Sequence, residues 1–247
     1  MKKVVVIMAL ALFAGGVMAL DHMIIKCDKD SYTSLSNPDT NYGSATQLDS
    51  QVKYSYSGSQ FSNLEIKMSY FHYGIPENLI GKVKAVEGVF YYYIGLYKGN
   101  SPYKAGQTNF SAGLYPLIGT WDEYTLTFNN QPSASGPGYF SVDTLTGTYK
   151  PVVGWNKFVL DREGLRLLQK TIDKGDSYGM ACYVDIAGPQ GQTLMAGDYL
   201  HLLRIVSRET TKKMPYIQLT YEVITGKMVN GTNVTPSTLG EVKALYR

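Results

Sequence analysis

Apolar and polar residues alternate along much of the chain. Leu48, Val52, Tyr54 and Tyr56 are interleaved with Asp49, Gln51, Lys53 and Ser55, which is the period-two pattern of a strand with one wet face. Leu64 to Tyr73 gives a second strand, closed by Gly74 and Pro76. Lys84 to Tyr97 gives a longer third strand. Read as unbroken alternation, it puts Val86, Phe90, Tyr92, Ile94 and Leu96 on one face and Glu87, Tyr91, Tyr93 and Tyr97 on the other. Glu123 to Phe128 alternates again and stops at the turn formers Asn129-Asn130-Gln131-Pro132. Further strands are expected over 139–145, 156–160, 178–186, 199–207 and 216–223.

One segment has helical spacing instead. Asp161 supplies an N-cap, Leu165, Leu168 and Ile172 form an apolar stripe, and Lys174 and Gly175 provide a cationic end and a stop. A single short helix among so many strands is expected to plug one end of a β-sandwich.

The two ends of the chain follow neither pattern. Lys2 and Lys3 precede the apolar run Val4 to Phe13, and Val17-Met18-Ala19 fits the small-x-small rule of a signal-peptidase site. A signal peptide is therefore expected over 1–19, an uncleaved N-terminal anchor being the alternative, with no later membrane span and an extracellular or cell-surface location. Residues 20–223 form the expected domain, and 224–247, rich in Gly, Asn, Thr and Pro, a flexible tail. Export would allow Cys27 and Cys182 to form a disulfide; two buried thiols acting as small apolar residues are the alternative.

Composition supports an all-β reading, because 21 Tyr and 25 Gly supply strand formers and turns. A net charge of +3, spread evenly, gives no basis for a nucleic-acid partner. Catalysis is not expected either. Only three His are present: His22 lies beside the cleavage site, and His72 and His201 lie within strand patterns. There is no G-x-S-x-G, no H-E-x-x-H and no Gly-rich phosphate loop.

Several fragments, in order over most of residues 28–223, carry a family likeness. They include Asp30-Ser31-Tyr32, Asn41-Tyr42-Gly43, Ile75-Pro76, the block Trp121 to Pro132, Ser177-Tyr178-Gly179, Ser207-Arg208-Glu209 and Pro215-Tyr216-Ile217. In these the chain resembles the DNRLRE domain, a disaggregatase-associated module related to carbohydrate-binding domains. His72, Phe128 and Gln131 depart from that family's usual residues. The resemblance implies a jelly-roll β-sandwich of two antiparallel sheets, and a non-catalytic accessory role.

Binding of an extracellular or cell-wall polysaccharide is the expected function, with neutral and acidic polymers both open. Sugars need aromatic rings for their C–H faces, and acidic groups need Arg or Lys. The expected ligand-binding residues are Tyr91, Tyr93 and Tyr97 on one strand face, with Lys53, Lys67, Arg204 and Arg208; tyrosines packed under a loop or the helix are the other reading of that face. Trp121 reads as a core anchor, and Trp155 as either anchor or platform. Jelly rolls also carry edge calcium, for which Asp28, Asp30, Asn41 and Asp198 are the candidates; solvated turn chemistry is the other reading of those residues. No other cofactor is expected. A second function class is a structural surface component, an adhesin or fibre subunit that pairs with itself or other surface proteins through sheet edges.

Overall fold

The computed structural model describes residues 20–100, 111–134, 140–143, 151–175, 178–185 and 196–224. The leader at 1–19 and nearly all of the tail at 224–247 lie outside them. In chain order the elements are β1 Asp21–Lys26, β2 Lys29–Ser34, β3 Gln47–Tyr56, β4 Phe61–His72, β5 Val83–Asn100, β6 Ser111–Ile118, β7 Ser133–Ala134, β8 Phe140–Asp143, β9 Gly154–Val159, α1 Arg162–Lys174, β10 Met180–Asp185, β11 Gly197–Val206 and β12 Tyr216–Val223.

Every strand pair is antiparallel, and hydrogen bonding is continuous along the path β1-β12-β5-β11-β3-β4-β10-β6-β7. The remaining strands attach at the sides: β2 pairs β4, β8 pairs β6 and β9 pairs β5. The path folds back on itself where β3 joins β11 to β4, so a strand shared by both layers turns the corner of a sandwich. Between the layers, Phe71 of β4 meets Tyr92 of β5 edge to face at 5.2 Å, and the Tyr73 hydroxyl donates to the Tyr92 hydroxyl at 2.9 Å. Phe90, Ile94, Phe158, Leu203, Ile217 and Leu219 from one layer join Leu114, Met180 and Cys182 from the other in a single buried core. Burying such side chains contributes roughly 1.5–3 kcal/mol each, which is the main force closing the sandwich.

β5 does not keep one alternation throughout. Thr220 lies opposite Glu87 but Tyr221 lies opposite Ala85, so Val86 is an extra residue. Arg204 lies opposite Leu96 but Ile205 lies opposite Ile94, so Gly95 is another. Each such bulge reverses which side chains face inward. Val86 is therefore exposed while Ala85 is buried. Tyr97, opposite the buried Leu203, packs against the core and does not share the outer face with Tyr91 and Tyr93.

Helix α1 forms as its pattern predicts. The Asp161 carboxylate accepts from the Gly164 N–H at 2.8 Å, and Gly175 closes the helix in the left-handed conformation. Leu168 and Ile172 join the core. Gln169 lies beside the edge of β5: its Oε1 accepts from Ala85 N–H at 2.6 Å and its Nε2 donates to the Val83 carbonyl at 3.1 Å.

Residues 123–128 do not form the expected strand. They fold into turns leading to a 3₁₀ turn at Phe128–Asn130. Local polar side chains compete with sheet pairing here: Asp122 Oδ1 accepts from Tyr124 N–H at 3.0 Å, and Asn130 Oδ1 from Thr127 N–H at 2.7 Å. Leu126 and Trp121, with Phe128, then cover Met68, Tyr70 and Ala181 on the outer side of β4 and β10.

The cysteines do not pair. Both are buried free thiols. Cys27 donates to the Lys29 carbonyl at 3.2 Å, and Cys182 lies on β10 in the core. Burial pushes the Cys182 thiol up to about 11 and raises that of Cys27 as well.

Candidate functional site

The outer face of the β1-β12-β5-β9 layer carries a cluster of aromatic rings. Register places Lys26, Tyr216, Tyr91 and Lys157 in one row across these four strands. At the strand spacing of about 4.8 Å the row is roughly 14 Å long. Tyr93 and Trp155 form the next row, two residues further along β5 and two residues back along β9. All of these positions point away from the core, because their neighbours Phe90, Tyr92, Phe158 and Ile217 point into it.

The rings interlock. Tyr91 stacks on Tyr216 with centroids 4.6 Å apart and planes 12° apart. Trp155 stands edge-on to Tyr216 at 5.6 Å and to Tyr93 at 5.8 Å. Lys213 places its ammonium 4.0 Å from the Tyr93 ring centroid, a cation–π contact. Tyr216 is the buried base of the group, whereas Tyr91, Tyr93 and Trp155 are half-exposed. Lys26 and Lys157 stand exposed at the two ends of the row. The result is a rigid aromatic surface flanked by Lys26, Lys157 and Lys213. Tyr91 and Tyr93 were legible from sequence; Tyr216, Lys213, Lys26 and Lys157 were not, because only cross-strand register brings them together.

The other residues singled out in the sequence lie elsewhere. Arg204 makes a bidentate pair with Asp49, through Nε at 2.6 Å and Nη2 at 3.0 Å. Lys67 lies 3.6 Å from Asp49 and 3.5 Å from Glu65. Lys53 is exposed on β3, opposite Leu200 and Glu65. None of the three sits on the aromatic face.

Arg208, Asp30 and Asn41 build an internal network. Arg208 Nε donates to Glu123 Oε1 at 2.8 Å, and its Nη2 donates to Oε2. The Asp30 N–H also donates to Glu123 Oε1, at 2.9 Å. Asp30 itself accepts from the Arg208 backbone N–H at 2.6 Å and from the Ser207 hydroxyl at 2.9 Å. Asn41 Nδ2 donates to the carbonyls of Glu123 at 2.8 Å and Leu126 at 2.9 Å. Burial drives the Asp30 carboxyl up to about 6 against the pull of these hydrogen bonds, and the Glu123 charge adds to the rise. The hydrogen bond to Glu123 holds Arg208 above its ordinary value despite its desolvation.

The four candidate calcium ligands are not brought together. Asp30 and Asn41 are committed to the network above. Asp28 lies 2.6 Å from His72 Nδ1, and Asp198 accepts from the Ser55 hydroxyl at 2.6 Å on the far end of β11. Desolvation raises the Asp28 pKa, but the His72 hydrogen bond and charge outweigh it and leave that carboxyl below its usual range. Trp121 is an anchor, as expected: its indole N–H donates to the Tyr178 carbonyl at 2.9 Å and its ring packs near Tyr70.

A family model for carbohydrate-binding module family 96 matches residues 22–150, which is more than half of the chain. The protein belongs to that family, whose members are binding modules. The match agrees with the carbohydrate-binding character implied by the sequence resemblance, although the model that matches does not carry the DNRLRE name. It includes Lys26, Tyr91 and Tyr93, while Trp155, Lys157, Lys213 and Tyr216 lie beyond it. No curated protein matches the chain.

Proposed function

We propose that the protein is a secreted, non-catalytic module that holds an acidic extracellular polysaccharide on the outer face of the β1-β12-β5-β9 layer. The observation that carries this reading is the row Lys26-Tyr216-Tyr91-Lys157, with Tyr93, Trp155 and Lys213 beside it. Half-exposed rings offer apolar surface to the C–H faces of sugars, and the lysines meet carboxylates or sulfates. The groups are fixed in advance by ring stacking and strand pairing, so little side-chain freedom is lost on binding. Export rests on the leader-like residues 1–19, and the accessory role on the family and on the residue inventory. The DNRLRE likeness is retained as part of this reading.

A polysaccharide-binding screen of the protein lacking residues 1–19, against neutral and acidic polymers, tests the proposal. Retention by acidic polymers that weakens with salt supports it. Assembly into polymers without any glycan ligand favours the surface-subunit reading instead.

A further inference from the structure

A second charged surface is centred on α1, which lies outside the segment matched by the family model. Arg162, Arg166, Lys170 and Lys174 recur at every fourth residue of α1, and all four are exposed. Residues spaced by four form a ridge along a helix, here with a cation about every 6 Å over about 18 Å. Lys84 of β5 faces this ridge across a groove of about 530 Å³, floored by Ala85 and Leu165. Among the described residues five cations line the groove against one carboxylate, that of Asp173, which accepts from the Gln169 amide at 2.7 Å. Arg166 is paired with Glu163 and Lys84 with Glu222, whereas Arg162, Lys170 and Lys174 form no ion pair with a described residue.

We propose that this groove is a second binding site, which takes a linear acidic polysaccharide and reads its charge without stacking on its sugar rings. Among the described residues no aromatic ring lines it, which separates it from the Tyr91–Trp155 surface and from single-stranded nucleic-acid sites, where bases stack on rings. The cations follow a line beside β5, which suits an extended chain bearing one charge per repeat better than a flat membrane. Arg162 offers a forked contact, the Arg166 fork being held by Glu163, and the Lys provide point charges, so carboxylate and sulfate are both suitable anions. The site does not depend on the aromatic face.

The test uses the protein lacking residues 1–19 and carrying Tyr91→Ala and Trp155→Ala, with immobilised polygalacturonate, dextran sulfate and neutral dextran as probes. Salt-sensitive binding to the two charged polymers should persist in this background. Adding Lys170→Glu and Lys174→Glu should weaken it about tenfold with an unchanged melting temperature. Should that variant fold poorly, the neutral set Arg162→Gln, Lys170→Gln and Lys174→Gln decides in its place. A folded α1 variant that keeps its affinity within twofold overturns the proposal. So does binding to anionic phospholipid vesicles in the absence of binding to either charged polymer. The failure of the aromatic site would appear separately, as binding unaffected by Tyr91→Ala and Trp155→Ala in protein already carrying Lys170→Gln and Lys174→Gln.

Discussion

Arg208 grips Glu123 with both arms of its guanidinium, across 85 residues of chain. Glu123 is only 4% exposed, so it has little water to fall back on if that partner is removed. The pair joins the turn after β11 to the 121–130 segment, and Asp30 ties β2 to both. Arg208→Ala should destabilise the protein by about 3 kcal/mol, because it leaves a buried carboxylate uncompensated. Chemical denaturation of wild type and variant measures this; a change below 1 kcal/mol would show the pair to be peripheral.

Gly43 belongs to the same junction. A Cβ placed there would lie 2.2 Å from the Glu123 carbonyl oxygen, and backbone cannot step aside as a flexible side chain can. Gly43→Ala should therefore cost about 2 kcal/mol or more through overpacking. A melting temperature equal to wild type would mean that the 121–130 segment packs less closely than it does here.

Asp30 gives a pH signature. Its folded-state carboxyl titrates at about 6, above its ordinary 3.8. The folded protein therefore holds this proton more tightly than the unfolded chain. The resulting stabilisation is fully present below about pH 4 and is lost as pH rises through about 6. Asp28 is shifted the other way, so its contribution is present above pH 4 and is lost only in stronger acid. The stability difference between wild type and Asp30→Asn should consequently shift against wild type by on the order of 2 kcal/mol between pH 4.5 and 7. Urea titrations at the two pH values test this, and a pH-independent difference would refute the assignment.

The two thiols should be inert in the native state. Cys27 and Cys182 are buried, and burial raises both pKa values, so the reactive thiolate is scarce at pH 8. Labelling with a disulfide reagent should modify neither cysteine until denaturant is added, and then both. Protein isolated under oxidising conditions that yields no thiol on unfolding would contradict this.

The strand alternation of β3 and β4 and the cap, stripe and stop of α1 were legible, because each is written in local sequence. The face of Tyr97 was not, since the bulge at Gly95 depends on pairing with β11. The 123–128 alternation misled for a related reason: Asp122 and Asn130 satisfy the backbone locally, and Glu123 turns inward to Arg208. Asp30, Asn41 and Arg208 carry residue types suited to ligands, yet the fold uses them to pin its own loops. On the aromatic face, sequence found Tyr91 and Tyr93 but not the Tyr216 ring beneath them or the lysines at either end, which arrive from strands far apart in the chain.

The aromatic face is tested most directly by calorimetry with soluble polygalacturonate, in protein whose α1 charge is reduced by Lys170→Gln and Lys174→Gln. Adding Tyr91→Ala and Trp155→Ala to that protein should weaken binding about 30-fold while the fold persists, as expected for the loss of central aromatic anchors. A folded protein without those two rings that binds with undiminished affinity would contradict the account.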